Sequence, residues 1–148
     1  MGRSGRPGPG QTAGKEHTRQ AAAPGFATGE GTARYAARLS KTVHPAHFRE
    51  AAGLRLSSIG LGTYLGSETE DDDALYVEAV EAAVRLGANV LDTAINYRCQ
   101  RSERAIGRAL AGLFASGEVA RDEVVVATKG GYLPFEGSPP AGRQAVAE

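Results

Sequence analysis

Three polar residues stand where two apolar runs end, and together they could move a proton. The runs are NVLDTA and EVVVATK. Asp92 closes the first, Tyr97 follows it by five residues, and Lys129 closes the second. A phenol is a weak acid near neutrality, with a reference pKa of about 10. An ammonium group beside it favours the phenolate and so makes the proton easier to give up. A carboxylate beside the ammonium holds it in place and keeps it charged. The three together would make Tyr97 a general acid tuned by an Asp92–Lys129 pair. Each residue also has an ordinary role. Asp92 could cap local N–H groups, Tyr97 could pack at the surface, and Lys129 could reach past its apolar stem to solvent. Lys129 could also act alone, as the amine of a Schiff-base aldolase.

The elements around these residues decide whether they meet. FREAAGLRLSS reads as a hairpin, with Ala52 and Gly53 at the turn and Gly53 free to take positive φ. Leu54 and Leu56 alternate with Arg55 and Ser57, the period of a half-buried strand. Ile59 and Leu61 then read as a buried strand ending at a glycine-bearing loop. A helix follows, with Thr69 and the run Asp71, Asp72 and Asp73 suited to its N-terminus. Tyr76, Val77, Val80, Ala83 and Val84 form its apolar face, and Gly87 suits its left-handed end. NVLDTA is a short strand. AIGRALAGLFASG is a second helix burying Ile106, Ala109, Leu110 and Leu113, with Ser102 as its expected cap and Gly117 at its end. EVVVATK is a third strand, rich in β-branched residues and suited to burial.

Strands joined by helix-length connections imply right-handed crossovers and a parallel sheet. Such a sheet can be a (β/α)8 barrel or an open doubly wound layer. In both, functional side chains gather where strands end, so Asp92, Tyr97 and Lys129 are expected at one rim. The chain has neither GxGxxG nor a P-loop, which favours the barrel. Gly130 and Gly131 after Lys129 would let a ligand approach the backbone or simply bend the loop.

Residues 1–46 differ in kind. They are rich in Gly, Pro, Ala, Arg and Thr, and poor in large apolar groups. They read as a disordered tail, with an unanchored helix near TARYAARL at most. Arg3, Arg6, Lys15, Arg19, Arg34, Arg38 and Lys41 outnumber Glu16 and Glu30 there, enough for a weak polyanion-binding arm, although solvated filler is the plainer reading. Residues 47–148 read as the folded part.

Over the whole chain of 148 residues, 17 basic and 17 acidic side chains cancel. That balance gives no general case for a nucleic-acid or membrane partner. The single cysteine, Cys99, cannot form an internal disulfide and reads as incidental. No apolar run approaches the ~20 residues of a membrane span, and the basic start has no signal-like apolar core. The cytoplasm is the expected compartment. The Asp71–Asp73 run has no clustered companions to make it a metal site, and His17, His44 and His47 carry no expected catalytic part.

LSSIGLGTYLG, GANVLDTAINY, SERAIGRAL and EVVVATK, in that order and spacing, closely resemble the aldo/keto reductase family over roughly residues 48–135. The resemblance implies part of a (β/α)8 TIM barrel, an α/β fold. An N-terminal hairpin closes its bottom, followed here by strand, helix, strand, helix and strand, truncated. It implies reversible hydride transfer between NADP(H), in some members NAD(H), and a small carbonyl or alcohol substrate. Three of the family's four catalytic positions match Asp92, Tyr97 and Lys129. Tyr97 would protonate the carbonyl oxygen. Gly62, Thr63 and Tyr64, with Asp92, match positions beside the nicotinamide. The fourth residue, a histidine, would come from the next strand, beyond Glu148, and most residues that grip the cofactor's phosphates would come later still. The resemblance thus implies an incomplete fragment with negligible activity of its own. A regulatory reading also exists, a cofactor-binding subunit without turnover, since potassium-channel β subunits resemble the same family.

Overall fold

The computed structural model describes residues 25–132. Helix α1 spans Gly29–Leu39, strands β1 and β2 span Phe48–Ala51 and Leu54–Ser57, and β3 spans Leu61–Gly62. Helix α2 spans Glu70–Leu86, β4 Val90–Asp92, α3 Arg101–Ala115 and β5 Val125–Ala127, the last preceded by a 3-10 turn at Arg121–Glu123. β1 and β2 pair antiparallel, while β3, β4 and β5 form a parallel sheet in chain order. Among the described residues this sheet has three strands and does not close into a barrel.

The local chemistry explains most boundaries. Ala52 and Gly53 both take positive φ, 50° and 73°, as a tight hairpin turn requires. Thr69 caps α2, its hydroxyl accepting from the Asp72 N–H at 3.2 Å. Gly87 ends α2 at φ 113°, its N–H donating back to Ala83 and Val84. A side chain there would also crowd Val43 and His47. The core is built from Val80, Val84, Leu91, Ile106, Ala109, Leu110, Leu113 and Val124, with Tyr35 and Phe48 from the N-terminal elements. α2 and α3 thus cover the sheet with the faces their periodicity predicted.

Three expectations need correction. The disordered tail does not extend to residue 46: within it, Gly29–Leu39 is helical and anchored, while residues 1–24 lie outside the described part. Thr28 caps α1 through its hydroxyl, which accepts from the Gly31 N–H at 2.9 Å. Tyr35 is 1% exposed. Its hydroxyl donates to the Val84 carbonyl at 2.5 Å, and its ring meets Phe48 edge-on at 5.8 Å. Arg38 grips both oxygens of the buried Glu123 at 2.9 and 2.8 Å, and Arg34 reaches Glu123 and Asp122. All these partners are distant in sequence, so local composition could not reveal them. Second, Ile59 is not part of a buried strand. β3 has only two residues, and Ile59 is 68% exposed. Third, Ser102 does not cap α3. The cap position is Gln100, whose side chain makes no capping hydrogen bond, and Ser102 is used inside the molecule.

Asn89, just before β4, joins hairpin to sheet. Fully buried, it accepts from the Ser57 N–H at 2.9 Å and donates to the Arg55 carbonyl at 2.9 Å. Hairpin, α1 and Glu123 therefore sit at the N-terminal ends of the parallel strands, and the opposite ends stay free to carry chemistry.

Candidate active site

Parallel pairing sets the registry of the rim. Gly62 on β3 lies opposite Asp92 on β4, and Asp92 opposite Ala127 on β5. The pairing continues past the strands, with the Thr93 N–H donating to the Ala127 carbonyl at 2.9 Å and the Ile95 N–H to that of Lys129 at 3.2 Å. Lys129 is thereby delivered to Asp92. Its ammonium donates to both Asp92 oxygens at 2.8 Å and to the Thr93 carbonyl at 2.8 Å. The same nitrogen lies 4.9 Å from the centroid of the Tyr97 ring. Hydrogen bonding to Asp92 holds the lysine above its ordinary pKa. Desolvation opposes this, and the Tyr97 hydroxyl reinforces it. The ammonium is therefore firmly charged, and the carboxylate and phenol both face it.

Of the four residues expected beside a cofactor, Asp92, Gly62 and Tyr64 reach this rim and the Thr63 side chain does not. Tyr64 is 66% exposed and meets Tyr97 edge-on at 5.0 Å. Among the described residues, nothing lies within 4 Å of where a Gly62 side chain would begin, which leaves space beside the backbone next to Asp92. Thr63 is buried, its hydroxyl donating to the Asp92 carbonyl at 3.0 Å. Its side chain locks the end of β3 to β4 and does not face the opening. Among the described residues, nothing faces the side-chain positions of Gly130 and Gly131 either.

A supporting layer holds the rim from below. Buried Ser102 donates to the Thr63 carbonyl at 2.6 Å, and Glu103 accepts from the Thr128 hydroxyl at 2.5 Å. The first residues of α3 thus fix the end of β3 and the position just before Lys129. Both residues lie in the run SERAIGRAL, but their partners depend on the fold.

The acidic run before α2 divides its labour. Asp72 accepts from the Ser67 N–H, whereas Asp73 is buried among Arg98, Arg101 and Arg108 at 2.7, 2.6 and 3.2 Å. Sequence reasoning treated Asp73 as a cap and missed Arg98. No group of three potential metal ligands occurs among the described residues. The His47 ring bridges the Gly87 carbonyl and the Ser58 hydroxyl, a structural part. The Cys99 sulfur donates to Glu68 at 3.0 Å, and that bond, with desolvation, raises the thiol's pKa, which disfavours a reactive thiolate.

Tyr97 leads into an unusual backbone. Arg98, Cys99 and Gln100 have φ of 48°, 52° and 69°. Each non-glycine residue in this region costs about 1–2 kcal/mol, so surrounding contacts must hold the run.

The family model for aldo/keto reductases matches residues 58–147. The chain is also similar to an L-galactose dehydrogenase of Arabidopsis thaliana, 38% identical over 84 residues that cover 53% of this chain and 24% of that protein. The chain therefore spans about a quarter of that relative's length.

Proposed function

The chain belongs to the aldo/keto reductase family, and we propose that it carries the proton-transfer half of an oxidoreductase that interconverts carbonyls and alcohols with NADP(H). The observation that carries this reading is the Lys129 ammonium, held by both oxygens of Asp92 at 2.8 Å and set 4.9 Å from the Tyr97 ring. As a carbonyl is reduced, negative charge grows on its oxygen and a proton must reach it. Tyr97 gives that proton. The charge left on the phenol oxygen is stabilised by the ammonium, and Asp92 keeps the ammonium charged and aimed. In the oxidative direction the same phenolate takes the proton back.

The residues around the phenol suit a nicotinamide. The open face of Gly62 leaves room beside the rim, and the exposed Tyr64 ring offers a flat apolar surface next to Tyr97. When bound, the nicotinamide supplies the hydride. The relative's name, L-galactose dehydrogenase, supports a dehydrogenase of a small hydroxylated substrate. We place the protein in the cytoplasm.

Schiff-base chemistry fits the geometry less well. A nucleophilic amine must be neutral, and three acceptors hold Lys129 in its charged form. A cofactor-binding subunit without turnover would have no use for a phenol set beside a paired ammonium, so kinetics separate it from an enzyme. NADPH oxidation with a panel of aldehydes, followed in the protein completed through the remaining barrel strands, tests the reading. Lys129→Met should lower kcat by about 100-fold or more with little change in the KM for NADPH. Unchanged turnover in Lys129→Met would remove the basis of the proposal. The present chain alone, with three parallel strands in its described part, is proposed to have negligible turnover.

A further inference from the structure

We infer that Arg98 is a positioning residue for Tyr97: its buried guanidinium ties the backbone after the phenol to the loop and helix start that follow β3. The inference deepens the function proposed above and rests on it.

Tyr97 is followed by three non-glycine residues in the left-handed region. L-residues visit that region singly, not in runs, so the run must be imposed from outside. Arg98 supplies the restraint. Its side chain is 1% exposed. Nε donates to the Ser67 carbonyl at 2.8 Å, and Nη2 donates to Asp73 at 2.7 Å and more weakly to the Thr69 carbonyl at 3.4 Å. The guanidinium lies 4.8 Å over the Tyr76 ring, whose hydroxyl donates to the Leu65 carbonyl at 2.6 Å. Asp73 is pinned in turn by Arg101 and Arg108.

The groups that Arg98 itself touches, Ser67, Thr69, Asp73 and Tyr76, all follow closely after Tyr64. Tyr64 and Tyr97 are the two rings that meet edge-on at the rim. Arg98 therefore couples the two segments that carry the aromatic pair. The planar guanidinium spreads its donors over two separate carbonyls and a carboxylate, a reach that lysine's point-like ammonium does not reproduce. A buried ion pair adds little net stability, because desolvation offsets the attraction, and its better-attested use is to specify one conformation. The unpartnered Nη1 of Arg98, buried among the described residues, agrees with a group retained for placement rather than for stability.

Nuclear Overhauser contacts on the 148-residue chain test this without reference to turnover. The wild type should give cross-peaks between the Lys129 side chain and the Tyr97 ring, and between the Tyr64 and Tyr97 rings. Arg98→Gly accepts the left-handed backbone but removes the tether, and Asp73→Asn is a second, isosteric variant. In both, the two rim contacts should be lost while the Tyr35–Phe48 contact in the core persists. Amide exchange at Arg101 and Ser102, which donate to the Arg98 and Tyr97 carbonyls, should quicken at least tenfold. Rim contacts that survive in both variants overturn the inference. So does a loss shared equally by rim and core, which would mark Arg98 as a general stabiliser. Absence of hydride transfer in the completed protein would instead defeat the proposed function and leave these contacts as they are.

Discussion

At the scale of single residues, the account turns on a lysine that is more firmly charged than usual. Its raised pKa comes first from the hydrogen bonds of Asp92. Asp92→Asn should therefore bring the Lys129 titration down towards the ordinary lysine value, which carbon-13 NMR at the Lys129 side chain can follow. An unmoved titration would mean that the carboxylate does not hold the ammonium. The sign for stability follows directly. A value raised on folding contributes stability that is full below the unfolded value of about 10.4 and fades as pH rises through the folded one. The Asp92–Lys129 pair should thus act unchanged across neutral pH.

Much of this site was legible from residue type and position. Asp92 and Lys129 end neighbouring parallel strands, so registry alone brings them together, and Tyr97 follows in the next loop. Thr63 was legible as a neighbour of the site but not in its role, because the hydroxyl turns inward to the Asp92 carbonyl. Arg98 was not legible at all. A left-handed run of three non-glycine residues has no sequence signal, and its ion pair joins positions 25 residues apart.

At the scale of elements, α1 is the part that sequence reasoning misjudged. Its composition is that of a tail, and its anchors are an aromatic ring and a carboxylate supplied by distant segments. Removing them gives clear expectations. Tyr35→Ala should lower unfolding stability by about 3–5 kcal/mol, the usual range for emptying a large core site. Denaturant unfolding would measure it, and a loss below 1 kcal/mol would mean that α1 is only loosely docked. Glu123 adds a pH dependence. Burial would raise its carboxyl, but hydrogen bonds from Arg38, the Ala120 N–H and Arg34 outweigh that and leave its pKa below the ordinary value. A value lowered on folding contributes stability that is present above the unfolded value, about 4.3, and is lost as pH falls through the folded one. Glu123→Gln should therefore narrow the stability gap between pH 7 and acid. A gap as wide as in the wild type would contradict the clamp.

At the scale of the whole molecule, the described residues form a parallel sheet of three strands, two covering helices and a closed lower end. Several large apolar side chains remain uncovered, among them Ile59, Leu65, Leu75 and Leu86, each more than 60% exposed. Where such side chains lie together they form interaction or aggregation surfaces. The isolated 15.4 kDa chain should bind a hydrophobic dye. A dye-silent monomer would show that these side chains are tolerated in water. The order of the three parallel strands could be read from the sequence because helix-length apolar patterns separate them, although the first is shorter than its apolar residues suggested.

The most direct test of the central claim follows the hydride and the proton together. The proposed complete enzyme should be given NADPH carrying deuterium at the transferable position, with an aldehyde substrate, and the alcohol product weighed by mass spectrometry. The account predicts deuterium on the carbinol carbon in the wild type, and in Tyr97→Phe a rate of formation lower by about 100-fold or more. Product without deuterium, or formed as fast when Tyr97 is phenylalanine, would contradict it.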